Sequence, residues 1–318
     1  MSTLFLNNKD VRSLLNMGEV IKAVEQAFKN WALGRAIMPP KAYLVLERGD
    51  FRAMPGAIPS AAGMKWVNVH PQNQSLGLPT VMAIIIYNDP ETGYPLAVMD
   101  GTDITAYRTG AAAAVASKYL ARKESHTLGI VGAGRQSYTQ LMAHGELFDL
   151  RQVKVFDKRA AAVETFIKSF PSYSIKACSL EETVDSDIVC TVTPAREPFI
   201  RSDLVRSGTH INAIGADAEG KEELEPSLLK KAVVVVDDLQ QAAAAGEINA
   251  PVSKGLFKVE EVYAALGEVI AGKKQGRKNE KAITIFDSTG LAIEDIAVAK
   301  LVYDKARNRG GYLSLDFV

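Results

Sequence analysis

The sequence predicts an α/β protein in two domains, one a doubly wound parallel sheet and the other of α+β type. Three observations carry this. The chain has 318 residues, beyond the roughly 250–300 at which one core gives way to two. From residue 127 to 288, apolar strand-like runs alternate with helical stretches, as in a parallel sheet flanked by helices. Residues 40 to 101 instead hold short β-type runs broken by Gly, Pro, Asn and Asp, the mark of a mostly antiparallel sheet.

In chain order, "MGEVIKAVEQAFKNWALGRA" places Val20, Ile21, Val24, Phe28 and Trp31 on one helical face, an amphipathic helix ending near Gly34. "KAYLVLE", "DFRAMPG", "AGMKWVNVHP", "TVMAIIIYN" and "PLAVMDG" are the strands of the antiparallel sheet, and "YRTGAAAAVASKYLARK" is an Ala-rich helix. "TLGIVG", "VKVFD", "DIVCTVT", "THINAIGA", "VVVVDD" and "ITIFDS" then supply the parallel strands. "GKKQGRKNEK" reads as a solvated loop and "LAIEDIAVAKLVYDKARNRG" as a closing amphipathic helix.

Lys+Arg and Asp+Glu both number 37. No global basic field therefore favours nucleic acid or an anionic membrane, and small-molecule chemistry is expected. Cys178 and Cys190 lack any Cys/His spacing for a metal, so they are expected to be buried thiols and no metal site is expected. "MSTLFLNNKD" lacks the pattern of a signal peptide, and no run approaches the ~18 apolar residues of a membrane span. A cytoplasmic protein is the expectation.

"TLGIVGAGRQSYTQL" leads from a strand through Gly132 and Gly134 into a helix, with Ser137 where a dinucleotide fingerprint has its third glycine. A second strand follows and ends at Asp157, 23 residues after Gly134. Gly132 allows the tight turn, Gly134 lets the backbone approach a pyrophosphate at the helix N-terminus, and Ser137 is small enough to replace the packing glycine. Asp157 accepts from the ribose hydroxyls and repels a 2′-phosphate, which points to NAD, while the adjacent Lys158 and Arg159 weaken that preference.

Four cations stand out in the first domain: Lys41, Arg52, Lys65 and Arg108. Strand alternation puts Lys65 on the face of Val67 and Val69, where a lysine needs an anion. Arg108 opens the Ala-rich helix, whose N-terminal dipole does not welcome a cation. A bound carboxylate would satisfy both; a structural ion pair is the competing reading. Asp217 follows an apolar strand at its carboxyl end, where open parallel sheets bind ligands, so it is a candidate general acid/base or else a turn aspartate. His210, on the same strand, reads as a hydrogen-bonded core residue.

The ordered set "GMKWVNVHP", "GLPTVMAIIIYNDPETGYPLAVMDG", "YRTGAAAA", "GIVGAGRQS", "THINAIGAD" and "IFDSTGLAIED" resembles the ornithine cyclodeaminase and mu-crystallin family over nearly the whole chain. "MPPKAYLVLERGDFRAMPG" and "VVDDLQQA" are most similar to its archaeal-type alanine dehydrogenases. The resemblance implies a Rossmann-type NAD-binding domain at 119–290. It also implies a discontinuous α+β domain for substrate and homodimerisation at 1–118, completed by the helix in 291–318. It places the substrate at Lys41, Arg52, Lys65 and Arg108, and catalysis at Asp217 and Lys65. The dinucleotide is placed at Thr80, Arg108, Gly132, Gly134, Arg135, Gln136, Asp157, Lys158, Arg159, Thr193, Ile214, Gly215, Ala216, Asp217, Lys221 and Ser288.

Arg52 departs from the acidic residue expected of a cyclodeaminase. A cation there opposes the second ammonium of ornithine, since like charges ~4 Å apart repel by roughly 4 kcal/mol near a protein surface. A small neutral amino or keto acid is favoured. The first reading is NAD-dependent interconversion of L-alanine with pyruvate and ammonium. The second is ornithine cyclodeamination to L-proline and ammonia with bound NAD recycled. A third is a mu-crystallin-like ketimine reductase or NAD(P)-dependent binding protein.

Overall fold

The computed structural model describes residues 2–316 and divides the chain into two compact units, Met1–Arg108 with Leu291–Val318, and Thr109–Gly290. The division falls inside the Ala-rich helix, ten residues before the expected boundary at 118. Packing explains the position: Arg108 pairs with acids of the first unit, whereas a Cβ on Gly110 would meet the Thr139 carbonyl oxygen of the second at 2.3 Å.

In the first unit β1 (Thr3–Leu6) is followed by helices α1 (Asn8–Leu14) and α2 (Met17–Ala32). Asn16 caps α2 by accepting from the Glu19 amide at 3.1 Å, and Val20, Ile21, Val24 and Phe28 form its buried stripe. Strands β2 (Ala42–Leu46), β3 (Gly49–Ile58), β4 (Ala61–Val69), β5 (Val81–Asn88) and β6 (Pro95–Asp100) lead to α3 (Thr102–Leu120). Their sheet runs in the order Leu313–Leu315, β1, β6, β5, β4, β3, β2, and it is antiparallel except where β1 joins β6. The short strands at 3–6 and 313–315 are additions to the expected sheet.

The C-terminal helix Ala292–Arg309 covers one face of this sheet. Gly56 and Gly63 let it approach: Cβ atoms there would come within 3.1 Å of the side chains of Ala292 and Ile296. The helix is not amphipathic through its first half, because Ala292 to Ala299 are all buried, including Glu294 and Asp295. On the other face Leu44, Leu46, Ile84 and Ile86 remain exposed, and at the edge strand β2 Tyr43 and Val45 are exposed on the helix side as well.

The second unit opens, after the rest of α3, with β7 (Thr127–Val131), α4 (Arg135–Leu147), β8 (Gln152–Phe156) and β9 (Ile175–Ala177). It continues through β10 (Ile188–Thr191), β11 (His210–Ala213), β12 (Val233–Val236), β13 (Ala264–Ala265) and β14 (Thr284–Asp287). All neighbours pair in parallel, in the order β13, β12, β14, β11, β10, β7, β8, β9. The chain leaves β7 in one direction to β8 and in the other to β10, so the strand order reverses there, at the point where such sheets bind ligands. β10, β11 and β14 are buried along their whole length, so even the polar His210 and Asn212 of β11 sit in the core rather than on a solvated face.

Some expectations change here. The stretch 272–281 is only partly solvated, because Arg277 turns inward to the carbonyls of Leu120 and Ala282, both at 2.6 Å. Cys190 is buried but Cys178 is only half-buried, since it lies beyond the short edge strand β9. His210 sits in the core, within 2.9 Å of Thr284 Oγ1 and 3.1 Å of Asn212 Oδ1. Among the described residues no helix is long and apolar enough to cross a membrane.

Candidate active site

β7 ends in a turn at Gly132, whose φ of 102° favours glycine, and a Cβ there would press on the Val192 carbonyl at 3.0 Å. Gly134, the N-cap of α4, is different. An added Cβ meets nothing within 4 Å, so the turn is open where a pyrophosphate would rest on the helix N-terminus. The buried Ser137 donates its hydroxyl to the Gly134 carbonyl at 2.5 Å, closing the first turn with a small polar side chain. Arg135 and Gln136 begin the helix.

Asp157 follows β8 and accepts from the amides of Ala133 and Arg159, both at 2.8 Å. Burial alone would raise its pKa, but hydrogen bonds from Arg159 and Ala133 outweigh burial and hold the carboxyl below its ordinary value. The Arg159 guanidinium lies 3.3 Å away, and Lys158 is exposed.

The loop after β11 carries Ile214, Gly215, Ala216 and Asp217. The Ile214 amide donates to Thr191 at 3.0 Å, and the Ser288 amide joins the same strand end through Ala213 at 3.1 Å. Half-buried Asp217 accepts from the Lys221 ammonium four residues on.

A set of acids absent from the sequence reading holds this loop. Glu223 accepts from the hydroxyls of Thr191 and Thr193 at 2.6 Å, the Thr193 amide at 2.8 Å and the Gly215 amide at 3.0 Å. Glu247 in turn accepts from the amides of Glu223 and Leu224, at 2.8 and 2.6 Å. Asp287 accepts from those of Glu247 and Ile248, at 2.9 and 3.1 Å. Asp237 takes the amides of Thr289 and Gly290 at 2.5 and 2.8 Å. All four acids are fully buried. Burial pushes Glu223 and Glu247 up, and Asp287 up to about 8. The available signal was an acid placed directly at the end of an apolar strand, in "VVVVDD" and "ITIFDS".

In the first unit Arg52 and Lys65 are diagonal neighbours on the covered face of the β3–β4 pair, for Arg52 faces Val67 and Lys65 faces Met54. Lys65 lies 2.8 Å from Asp295. Arg108 reaches Asp295 at 3.0 Å through Nε and Glu294 at 3.2 Å through Nη1. The anion that Lys65 and Arg108 were expected to need is thus already supplied by the C-terminal helix. Arg108 also lies two turns inside α3 rather than at its start, because the helix begins at Thr102. Burial, with Arg108 and Lys41 nearby, draws the Lys65 ammonium down to about 7 against the pull of Asp295. Arg52 turns to Asp50 at 2.7 Å and lies over the Tyr43 ring. Asp50 offsets the Arg52 charge, which weakens the repulsion expected for a second ammonium. Thr80 precedes β5, its carbonyl accepting from the His70 amide at 2.8 Å.

The sequence profile of the ornithine cyclodeaminase/mu-crystallin family matches residues 1–310. The chain belongs to this family. Among members of the family, it is 53% identical to an alanine dehydrogenase of Archaeoglobus fulgidus over 311 residues, 97% of each chain. A solved archaeal alanine dehydrogenase dimer with bound NAD is 52% identical and superposes with a TM-score of 0.98 over all of both chains. A Thermococcus litoralis Delta(1)-pyrroline-2-carboxylate reductase, solved with NADH and L-proline, is 40% identical with a TM-score of 0.94 over 98% of this chain and 100% of that one.

Proposed function

We propose that the protein is an NAD-dependent alanine dehydrogenase that converts L-alanine reversibly to pyruvate and ammonium. Identity of 53% to an alanine dehydrogenase over nearly the whole of both chains carries the reading. The residues fit the cofactor: the turn is open at Gly134, and the Asp157 carboxylate stands where ribose hydroxyls would be accepted. The bound nicotinamide supplies the hydride acceptor. Lys65 and Arg108 receive the substrate's carboxylate, with Lys41 and Arg52 beside them. Asp217 takes a proton from the water that adds to the oxidised α-carbon, and returns one in the reverse direction. Lys221 orients Asp217 through its ion pair, and Glu223 holds the backbone of its loop.

The exposed Leu44, Leu46, Ile84 and Ile86, which share the sheet face away from the C-terminal helix, support a homodimer that covers this face with a second copy. Two free thiols suit a reducing, cytoplasmic setting.

A panel of amino and keto acids with NAD(H) and NADP(H), read at the reduced nicotinamide band, tests the function. Net NADH formed from alanine supports the reading. Conversion of ornithine without net NADH would replace it with cyclodeamination. The 40% identity to a pyrroline-carboxylate reductase favours ketimine reduction as the second reading, so Delta(1)-pyrroline-2-carboxylate belongs in the panel.

A further inference from the structure

We propose that Asp295 is a positioning residue: it keeps Lys65 charged and, with Glu294, holds Lys65 and Arg108 in the direction from which they receive the substrate's carboxylate. This rests on the proposed function only in assigning that carboxylate to Lys65 and Arg108. The bridge is direct. One Asp295 oxygen lies 2.8 Å from Lys65 Nζ and the other accepts from Arg108 Nε at 3.0 Å, while Glu294 takes Arg108 Nη1 at 3.2 Å. The acids are fully buried, so neither is a surface ornament.

Lys65 is 1% exposed and is flanked across the sheet by Met54 and Ile85, which offer its ammonium nothing. The charged groups that face it are Asp295 from the C-terminal helix, Arg108 from α3 and Lys41 ahead of β2. Two of these three are cations and disfavour the ammonium. Asp295 is the one that retains its proton. Without that carboxylate Lys65 becomes a neutral amine at physiological pH and has no charge to offer an incoming anion. Arg108 differs, because a guanidinium keeps its charge whatever its surroundings. Loss of Asp295 should therefore act on the two cations differently: Lys65 loses charge and Arg108 only loses direction.

Propionate is a suitable probe, since it does not react and its own charge is constant between about pH 6 and 10. Its Kd for the NADH-loaded enzyme is read by nicotinamide fluorescence across that range. In the wild type, affinity should fall as pH rises through the neutral region. D295N should move the midpoint down by about one pH unit or more, a change of about fivefold in Kd at the wild-type midpoint that approaches tenfold above it. K65R should abolish the pH dependence, because arginine does not titrate there. A D295N profile parallel to the wild type, or a K65R profile that keeps the midpoint, overturns the proposal. ¹³C-lysine NMR of the Lys65 resonance in wild type and D295N reads the same midpoint without any ligand. It decides the matter even if propionate does not bind, an outcome that would instead count against the carboxylate assignment.

Discussion

The two units bury ionisable side chains in opposite ways. In the first, Lys65 and Arg108 are matched by the side chains of Asp295 and Glu294. In the second, Glu223, Glu247, Asp287 and Asp237 are matched by backbone amides and hydroxyls of neighbouring strand ends. An ion pair between side chains can share its cation with another carboxylate, so it can meet a substrate and reset. A carboxylate held by fixed amides has no such freedom, and it serves as scaffold. The difference teaches that a buried ionisable side chain does not by itself mark a reactive group; the kind of partner does.

Four experiments break or sharpen that contrast. Glu223→Ala strands the Thr193 and Gly215 amides, and at about 1–3 kcal/mol for each stranded donor the loss of stability should be about 2–6 kcal/mol. Urea denaturation measures it, and a change below about 1 kcal/mol would show that water replaces the carboxylate. Asp217→Asn should instead leave stability nearly intact while kcat falls about 10²- to 10⁴-fold, with NAD affinity within a few-fold. Retention of more than about a tenth of wild-type kcat removes Asp217 as the acid/base.

The third experiment compares pH slopes. Asp287 is raised from 3.8 to about 8, so its contribution is complete below 3.8 and is lost as pH rises through about 8. The stability of wild type minus Asp287→Asn should decline across that window, by at most about 1.4 kcal/mol per pH unit. Lys65 is lowered from 10.5 to about 7, so wild type minus Lys65→Met should climb between those values. Slopes of the same sign would collapse the contrast. The smallest effect is expected at Asp157→Ser, which removes one charge facing a 2′-phosphate. The preference for NAD over NADP should narrow about fivefold, the equivalent of about 1 kcal/mol for charges 4 Å apart in water. Titration of both cofactors checks it.

The parallel sheet was legible because short strands rich in buried apolar residues, such as β10, β12 and β14, recur between helical stretches. Gly132, Gly134 and Asp157 were legible for a related reason, as their spacing follows one strand–turn–helix unit. Asp295 was not. On a helix read as amphipathic, "IED" looks like a solvated stripe, and only Lys65 and Arg108, far back in the chain, explain why those acids are buried. Glu247 was hidden likewise, since its amide and side-chain partners come from residues brought together by the crossovers of the sheet. The strand at Thr3–Leu6 is too short to declare itself without β6 beside it.

Completion of the first unit by residues 291–318 sets an order of events during synthesis. Lys65 and Arg108 leave the ribosome before Thr109–Gly290, yet their counter-ions and the cover of their sheet follow it. Thr109–Gly290, by contrast, has all its strands in hand before those counter-ions are made. The growing polypeptide should thus fold its middle before its beginning, against the usual N-to-C sequence. A chain halted after Gly290 should accordingly yield a protease-resistant middle segment attached to a protease-sensitive head.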